Sequence, residues 1–250
     1  MDALIMISQA LLYVSFALLT GSFILMLVPS SYKPSLNIKK TMLQLCAISL
    51  PVLTVFPILS VVSFITPRFG LIEALTIVIT TYTVGHAWLA TVACSALLFT
   101  AFFIKKEKLA ASIGLLFTVL AIGTVAWASH GASVDFIVGL VSDFLHLLAV
   151  SVWVGILLII GFCSVNTDNW LAFLKWFSLT AISCLSITAL SGVLLMDVLV
   201  DSYMNSWTIN YGLGLFMKHL FLIPLLFFAL ANAFLVKFKL KRDAHFSPLR

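Results

Sequence analysis

Four histidines, His86, His130, His146 and His219, lie inside or beside long apolar segments that carry almost no other charge. Imidazole among hydrocarbon is costly unless it is hydrogen-bonded or ligates something, and its neutral nitrogen is a common metal ligand. Asp143, His146, Val150 and Trp153 recur at three- and four-residue spacing and so share one helical face. A carboxylate one turn from an imidazole can accept the ring N–H and orient it for a metal, or can bind the metal itself. An aspartate inside a membrane span costs roughly 3 kcal/mol on insertion scales, so Asp143 marks a functional position by default. Soft or polar groups recur at similar depth: Met196 with Asp197, and Met217 with Lys218 beside His219. Imidazole combined with thioether favours copper over the harder cations.

The elements that must hold these residues are transmembrane helices. Hydrophobic residues make up 62% of the chain and charged residues only 9%, with a mean hydropathy of +1.19, which leaves too little charge for a soluble domain of 250 residues. Apolar stretches run over Leu4–Val28, Met42–Ile65, Tyr82–Ile104, Leu109–Ser129, Phe136–Phe162, Leu171–Leu199 and Gly212–Phe238. Each is near or above the roughly 20 residues that cross a bilayer core of about 30 Å. The fold class expected is therefore an all-α, polytopic bundle of about seven spans, one domain over residues 1–250. Residues 67–81, with Arg68 and Glu73, are either an interfacial or re-entrant helix or an eighth span. The first segment opens on Asp2 rather than a basic region, and its apolar run is long for a cleaved signal, so it is expected to be a retained span.

Lysine and arginine set the orientation. Lys33, Lys39 and Lys40 follow the first span, Lys105, Lys106 and Lys108 the third, and Lys237, Lys239, Lys241, Arg242 and Arg250 the seventh, whereas the alternate connections are neutral or acidic. That pattern puts the N-terminus outside and the C-terminus in the cytoplasm. The isoelectric point near 9.1 then reports topology and an anionic inner leaflet of membrane lipid, not nucleic acid. Cys46, Cys94, Cys163 and Cys184 lie within or at the inner ends of spans, so no disulfide framework is implied. With this topology His86 lies about 6 Å and His219 about 10 Å below the outer ends of their helices, at a rise of roughly 1.5 Å per residue. By the same measure His146 is roughly 15 Å down, near the midplane, and His130 closes the fourth span at the outer face. Pro224 removes the amide that would bond the Leu220 carbonyl and bends the seventh span just beneath His219; Pro51 and Pro57 act similarly on the second.

These residues carry a resemblance. His130-Gly131, Asp143-x-x-His146 followed by Val152-Trp153-Val154-Gly155, Ser191-Gly192, Tyr211-Gly212 and Lys218 resemble the copper resistance protein D (CopD) family, most clearly over residues 129–238. Ile156 stands where that family commonly has a second glycine and Ser191 where it often has threonine, changes that touch packing more than chemistry. The resemblance implies a multi-pass protein of the cytoplasmic, or inner, membrane that takes copper ion from the periplasmic or outer side. It also implies a small copper-binding partner of the CopC type, expected as a separate protein because no such domain is found within residues 1–250.

The expected function is copper transport or handling through a site of His146, Asp143, His130, His86, His219, Met217 and Met196, supported by Trp153, Lys218, Asp197 and Pro224. Two other readings stay open: a b-type haem protein, since histidines on facing helices also hold haem iron, and a copper-delivery factor that does not transport. Trp153 either walls the site from below or fills the bundle core. Lys218 either snorkels outward or pairs with Asp197 or Asp143. Thr180, Ser183, Ser186, Thr188 and Ser191 with Gly192 on the sixth span are of the type that glues helices together rather than binding ligands. His245, in the basic tail, is expected to be solvated. No phosphate-binding glycine loop and no His-Glu-x-x-His helix is present, so neither nucleotide-driven pumping nor hydrolase chemistry, nor enzyme activity in general, is expected.

Overall fold

The computed structural model describes residues 2–166 and 168–199. Over these residues it places α1 (Asp2–Leu27), α2 (Lys40–Leu53), α3 (Val55–Phe69), α4 (Leu71–Thr81), α5 (Thr83–Ala101), α6 (Glu107–Trp127), α7 (His130–Val134), α8 (Phe136–Cys163) and α9 (Trp170–Leu199). Six stretches are long and apolar enough to span a membrane: α1, α2 with α3, α5, α6, α8 and α9. They coincide with the first six spans expected from hydropathy. The seventh, with Met217, Lys218, His219 and Pro224, lies outside the described residues.

Residues 67–81 do not form an eighth span. The second span runs on to Phe69, and Gly70, at φ +80°, reverses the chain into α4. The left-handed backbone there suits a residue without a side chain. With 11 residues, about 16 Å at the helical rise, α4 covers only half of a hydrocarbon core. It packs back on α3 over Ile58, Val62, Ala74 and Val78, an amphipathic hairpin beside the bundle.

α1 is the central helix, packed against α8, α6 and α2. Phe16, Leu19, Phe23 and Leu25 are fully buried, and so are its hydroxyls at Thr20 and Ser22. A helix with no polar stripe must be surrounded by other helices or lipid, and α1 is surrounded by helices on several sides. Its closest crossing is on α8. A Cβ on Gly21 would sit 2.2 Å from the Gly155 carbonyl carbon, and one on Gly155 would sit 2.0 Å from the Ala17 oxygen. Small residues let two backbones approach in this way, and dispersion then takes over where lipid offers no hydrophobic drive.

The break in the second span is also accounted for. Pro51 cannot donate to the Ala47 carbonyl, and Ser95 Oγ of α5 does so instead at 2.5 Å. Thr54 Oγ1 takes the Leu50 carbonyl at 2.8 Å, and Trp88 Nε1 takes that of Pro51 at 3.0 Å. The carbonyls of Ala47, Leu50 and Pro51 each find a donor, as a lipid environment demands.

At one end of the bundle the connection after α1 pairs with the connection after α8. Asn37 N–H donates to the Cys163 carbonyl at 2.8 Å and Val165 N–H to Ser35 at 2.9 Å, around a bridge between Leu36 and Ser164. The ends of α5 and α6 line the same end, beside Lys33, Lys40 and Lys105. The connections expected to share one membrane face therefore do come together.

Candidate functional site

His146 sits half-buried in α8, ten residues in from its start, facing α9. Its Nδ1 lies 3.2 Å from the Thr188 carbonyl and 3.3 Å from Ser191 Oγ. A carbonyl only accepts, so Nδ1 carries the hydrogen, and in the neutral ring the lone pair is on Nε2. The Ser191 hydroxyl donates to the Ile187 carbonyl at 2.6 Å, which turns a lone pair toward the imidazole. A ring held in this way presents one defined nitrogen to a ligand, the arrangement by which outer partners orient metal-binding histidines. Thr188 Oγ1 is buried beside it and has no hydrogen-bond partner among the described residues. The buried hydroxyls of Thr20 and Ser22 on α1 share that condition; what sets Thr188 apart is its place beside the His146 ring.

Asp143 precedes His146 by one turn and is half-buried. Across from α8, Cys184, Thr188 and Ser191 of α9 are buried at four- and three-residue spacing, so a thiol lies one turn from the hydroxyl pair along one stripe, while Met196, five residues beyond Ser191, is buried on another side of the helix. Met196 is only 2% exposed, whereas its neighbour Asp197 is exposed. Trp153, two turns along α8 from His146, is half-buried.

His130 is the first residue of α7 and is exposed. Ser129 caps that short helix by accepting from Ala132 N–H at 3.3 Å. α7 packs on both α8 and α9, with a Cβ on Gly131 reaching to 3.0 Å from Leu195, the residue before Met196. His130, Met196 and Asp197 therefore share one end of the α8–α9 pair. His86 does not join them. It is exposed at the start of α5, its Nε2 2.9 Å from the Thr80 carbonyl of α4, and α5 packs on α6, α2, α4 and α3. Among the described residues no group of three or more His, Cys, Asp or Glu side chains converges closely enough to hold a metal. His219, Met217, Lys218 and Pro224 lie outside the described residues.

Two family models match the chain. Copper resistance protein D-like, N-terminal domain, covers residues 1–140, more than half of the 250, and copper resistance protein D covers residues 171–249. The chain belongs to the copper resistance protein D family. No curated protein and no solved structure gave a significant match. It is thus a multi-pass, copper-resistance membrane protein, and residues 141–170, which carry Asp143, His146 and Trp153, fall between the two matched stretches.

For a copper-resistance protein the donor types carried by α8 and α9 are apt: an imidazole nitrogen at His146, a carboxylate one turn away at Asp143, and sulfur at Met196 and Cys184 on the facing helix. The residues that sequence reading set aside are Thr188 and Ser191, which hold the ring. Nothing in their types separates them from ordinary helix glue; only the His146 contact does. The remaining cysteines stand elsewhere. Cys46 and Cys94 belong to the core shared by α1, α2, α5 and α6, and Cys163 ends α8. They do not continue the α9 stripe.

Proposed function

We propose that this copper resistance protein D family member carries copper ion into or across the cytoplasmic membrane through the α8–α9 seam. His146 Nε2 is the central ligand, and Asp143 is its carboxylate partner. The observation that carries this reading is the clamp on His146 Nδ1 by the Thr188 carbonyl and Ser191, which fixes the ring in the tautomer a metal requires. Copper is the cargo, entering from the outer side at the His130 end, where Met196 supplies a thioether on the way to His146. His219 and Met217 complete the donor set from the seventh span, and His86 is a further candidate ligand from the α4–α5 side. Lys218, Asp197, Trp153 and Pro224 shape the surroundings of the site.

The orientation proposed has the N-terminus outside and the C-terminus in the cytoplasm. Its support is the gathering of the connections after α1, α5 and α8 at one end of the bundle, two of them lysine-rich. Copper arrives from a separate carrier of the CopC type. Flow is driven by the membrane potential acting on the cation and by binding on the far side, without nucleotide hydrolysis.

Copper uptake into vesicles holding the protein, followed with copper chelated on the outside, tests this directly. His146→Ala and Asp143→Ala should each cut uptake at least tenfold, the lower end of what perturbing a metal site costs. Unchanged uptake in both variants sinks the proposal. Copper bound at His146 with no transfer to the vesicle interior would instead make the protein a delivery factor. A Soret band in the purified protein would reassign the histidines to haem.

A further inference from the structure

At the end of the bundle opposite His130 lies a cleft of about 730 Å³, within the size range of small-ligand sites. Three lysines from three separate segments line it: Lys33 after α1, Lys40 opening α2, and Lys105 between α5 and α6. Glu107 and Asp168 line it as well, so the side chains leave one net positive charge. Two further features favour an anion. The first turns of α2 and α6 reach the cleft at Lys40 and Glu107, and neither helix has a side-chain cap for its leading amides. Several carbonyls at the helix C-termini there are already taken. Lys33 Nζ donates to the Leu25 carbonyl of α1, while Phe103 and Ile104 amides take the Thr100 and Ala101 carbonyls of α5 at 3.0 and 3.2 Å. The floor is apolar, with Phe23 and Phe102 stacked at 6.3 Å, as would suit the glycerol and upper acyl carbons that accompany a headgroup.

We propose that this cleft binds a phosphate group at the membrane surface, held by Lys40 and Lys105 over the uncapped amides of α2 and α6. Lys40 and Lys105 are exposed and reach into the interfacial layer, where phospholipid headgroups stand. Lys40 rests its ammonium 5.8 Å from the centre of the Phe103 ring, a contact that holds the side chain extended. Lys33 is half-buried, and burial keeps its ammonium below the usual lysine pKa, with Glu107 opposing only in part. A bound phosphate supplies the missing counter-charge.

Native mass spectrometry of the full-length protein in a neutral detergent tests the site, with short-chain phosphatidylglycerol and inorganic phosphate as separate probes. Phosphatidylglycerol should be retained, and Lys40→Gln with Lys105→Gln should weaken it about 25-fold, roughly fivefold per lysine near an anionic surface. The charge-matched pair Lys106→Gln with Lys108→Gln, which lies outside the cleft, should leave affinity within about twofold. Retention of phosphatidylglycerol alone assigns the phosphate to a lipid; equal retention of inorganic phosphate assigns it to a soluble source. Retention of neither probe, or equal weakening by both lysine pairs, overturns the site.

Discussion

The two halves of the bundle use their polar side chains differently. Around α1, α2, α5 and α6, hydroxyls bond backbone carbonyls or each other, those of Thr20 and Ser22 on α1 excepted among the described residues. Ser95 replaces the amide lost at Pro51, Thr118 Oγ1 donates to the Gly114 carbonyl at 2.8 Å, and Thr91 pairs with Thr124 at 2.7 Å. Between α8 and α9 polar groups hold a histidine ring instead: the Thr188 carbonyl and the Ser191 hydroxyl both face His146 Nδ1, and the Thr188 hydroxyl has no partner among the described residues. The same residue types thus serve as structural mortar on one side and hold the ring of a histidine on the other. Only the partner distinguishes them, which is why composition alone cannot rank one threonine above another.

The contrast can be broken by packing first. Gly155→Val places new atoms on the Ala17 carbonyl, where even a Cβ would stand 2.0 Å away, and α1 cannot yield without leaving α8. A destabilisation of roughly 3 kcal/mol or more is expected, seen as loss of a monodisperse peak in detergent. A well-behaved variant of native melting temperature would mean that the two helices do not cross there. A smaller, site-specific effect is expected from Ser191→Ala, which removes one of two acceptors for His146 Nδ1. Copper affinity measured by competition with a chromophoric chelator should fall about tenfold, the low end for a partner of a metal-binding histidine, with melting unchanged. Loss of stability without loss of affinity would class Ser191 with the mortar. Conversely, Ser95→Ala should leave copper affinity untouched and lower stability by about 1 kcal/mol, in the range for hydrogen bonds between membrane helices. Last, Gly192→Ala should change neither readout, because its new methyl would lie 3.6 Å from the His146 ring, an ordinary contact. A marked drop in affinity there would show that the ring must move toward α9 during the cycle.

What could be read from residues was depth; what could not was azimuth. Run length and hydropathy located six spans to within a few residues, and alternating lysines grouped the connections that do meet at one end. Depth along each helix placed His86 in the same outer half as the others, yet α5 turns it toward Thr80 of α4, while α8 and α9 lie across the bundle. Which helices become neighbours depends on crossings such as Gly21 with Gly155, and two small residues so far apart in the chain do not announce each other. The hairpin at residues 67–81 was ambiguous because Arg68 and Glu73 interrupt an apolar run; its length and the reversal at Gly70 decide it. Asp143 and His146 were legible because charge in hydrocarbon is rare, whereas Thr188 and Ser191 were not, since hydroxyls in spans are common.

The pairing of residues 35–37 with 163–165, reinforced by the Asn169 side chain on the Ser30 carbonyl at 3.1 Å, sets the mechanics of the seam. It rivets the end of α8 and the beginning of α9 to a single strap. Any parting of the two helices that keeps these bonds must be a scissor pivoting at the strap. Its blades are about 40–45 Å long at the helical rise, so a tilt of about 5° opens the far tip by nearly 4 Å and the level of His146 by about 2 Å. Leverage of that kind parts the His130 end first and the level of His146 second, while the riveted end stays shut.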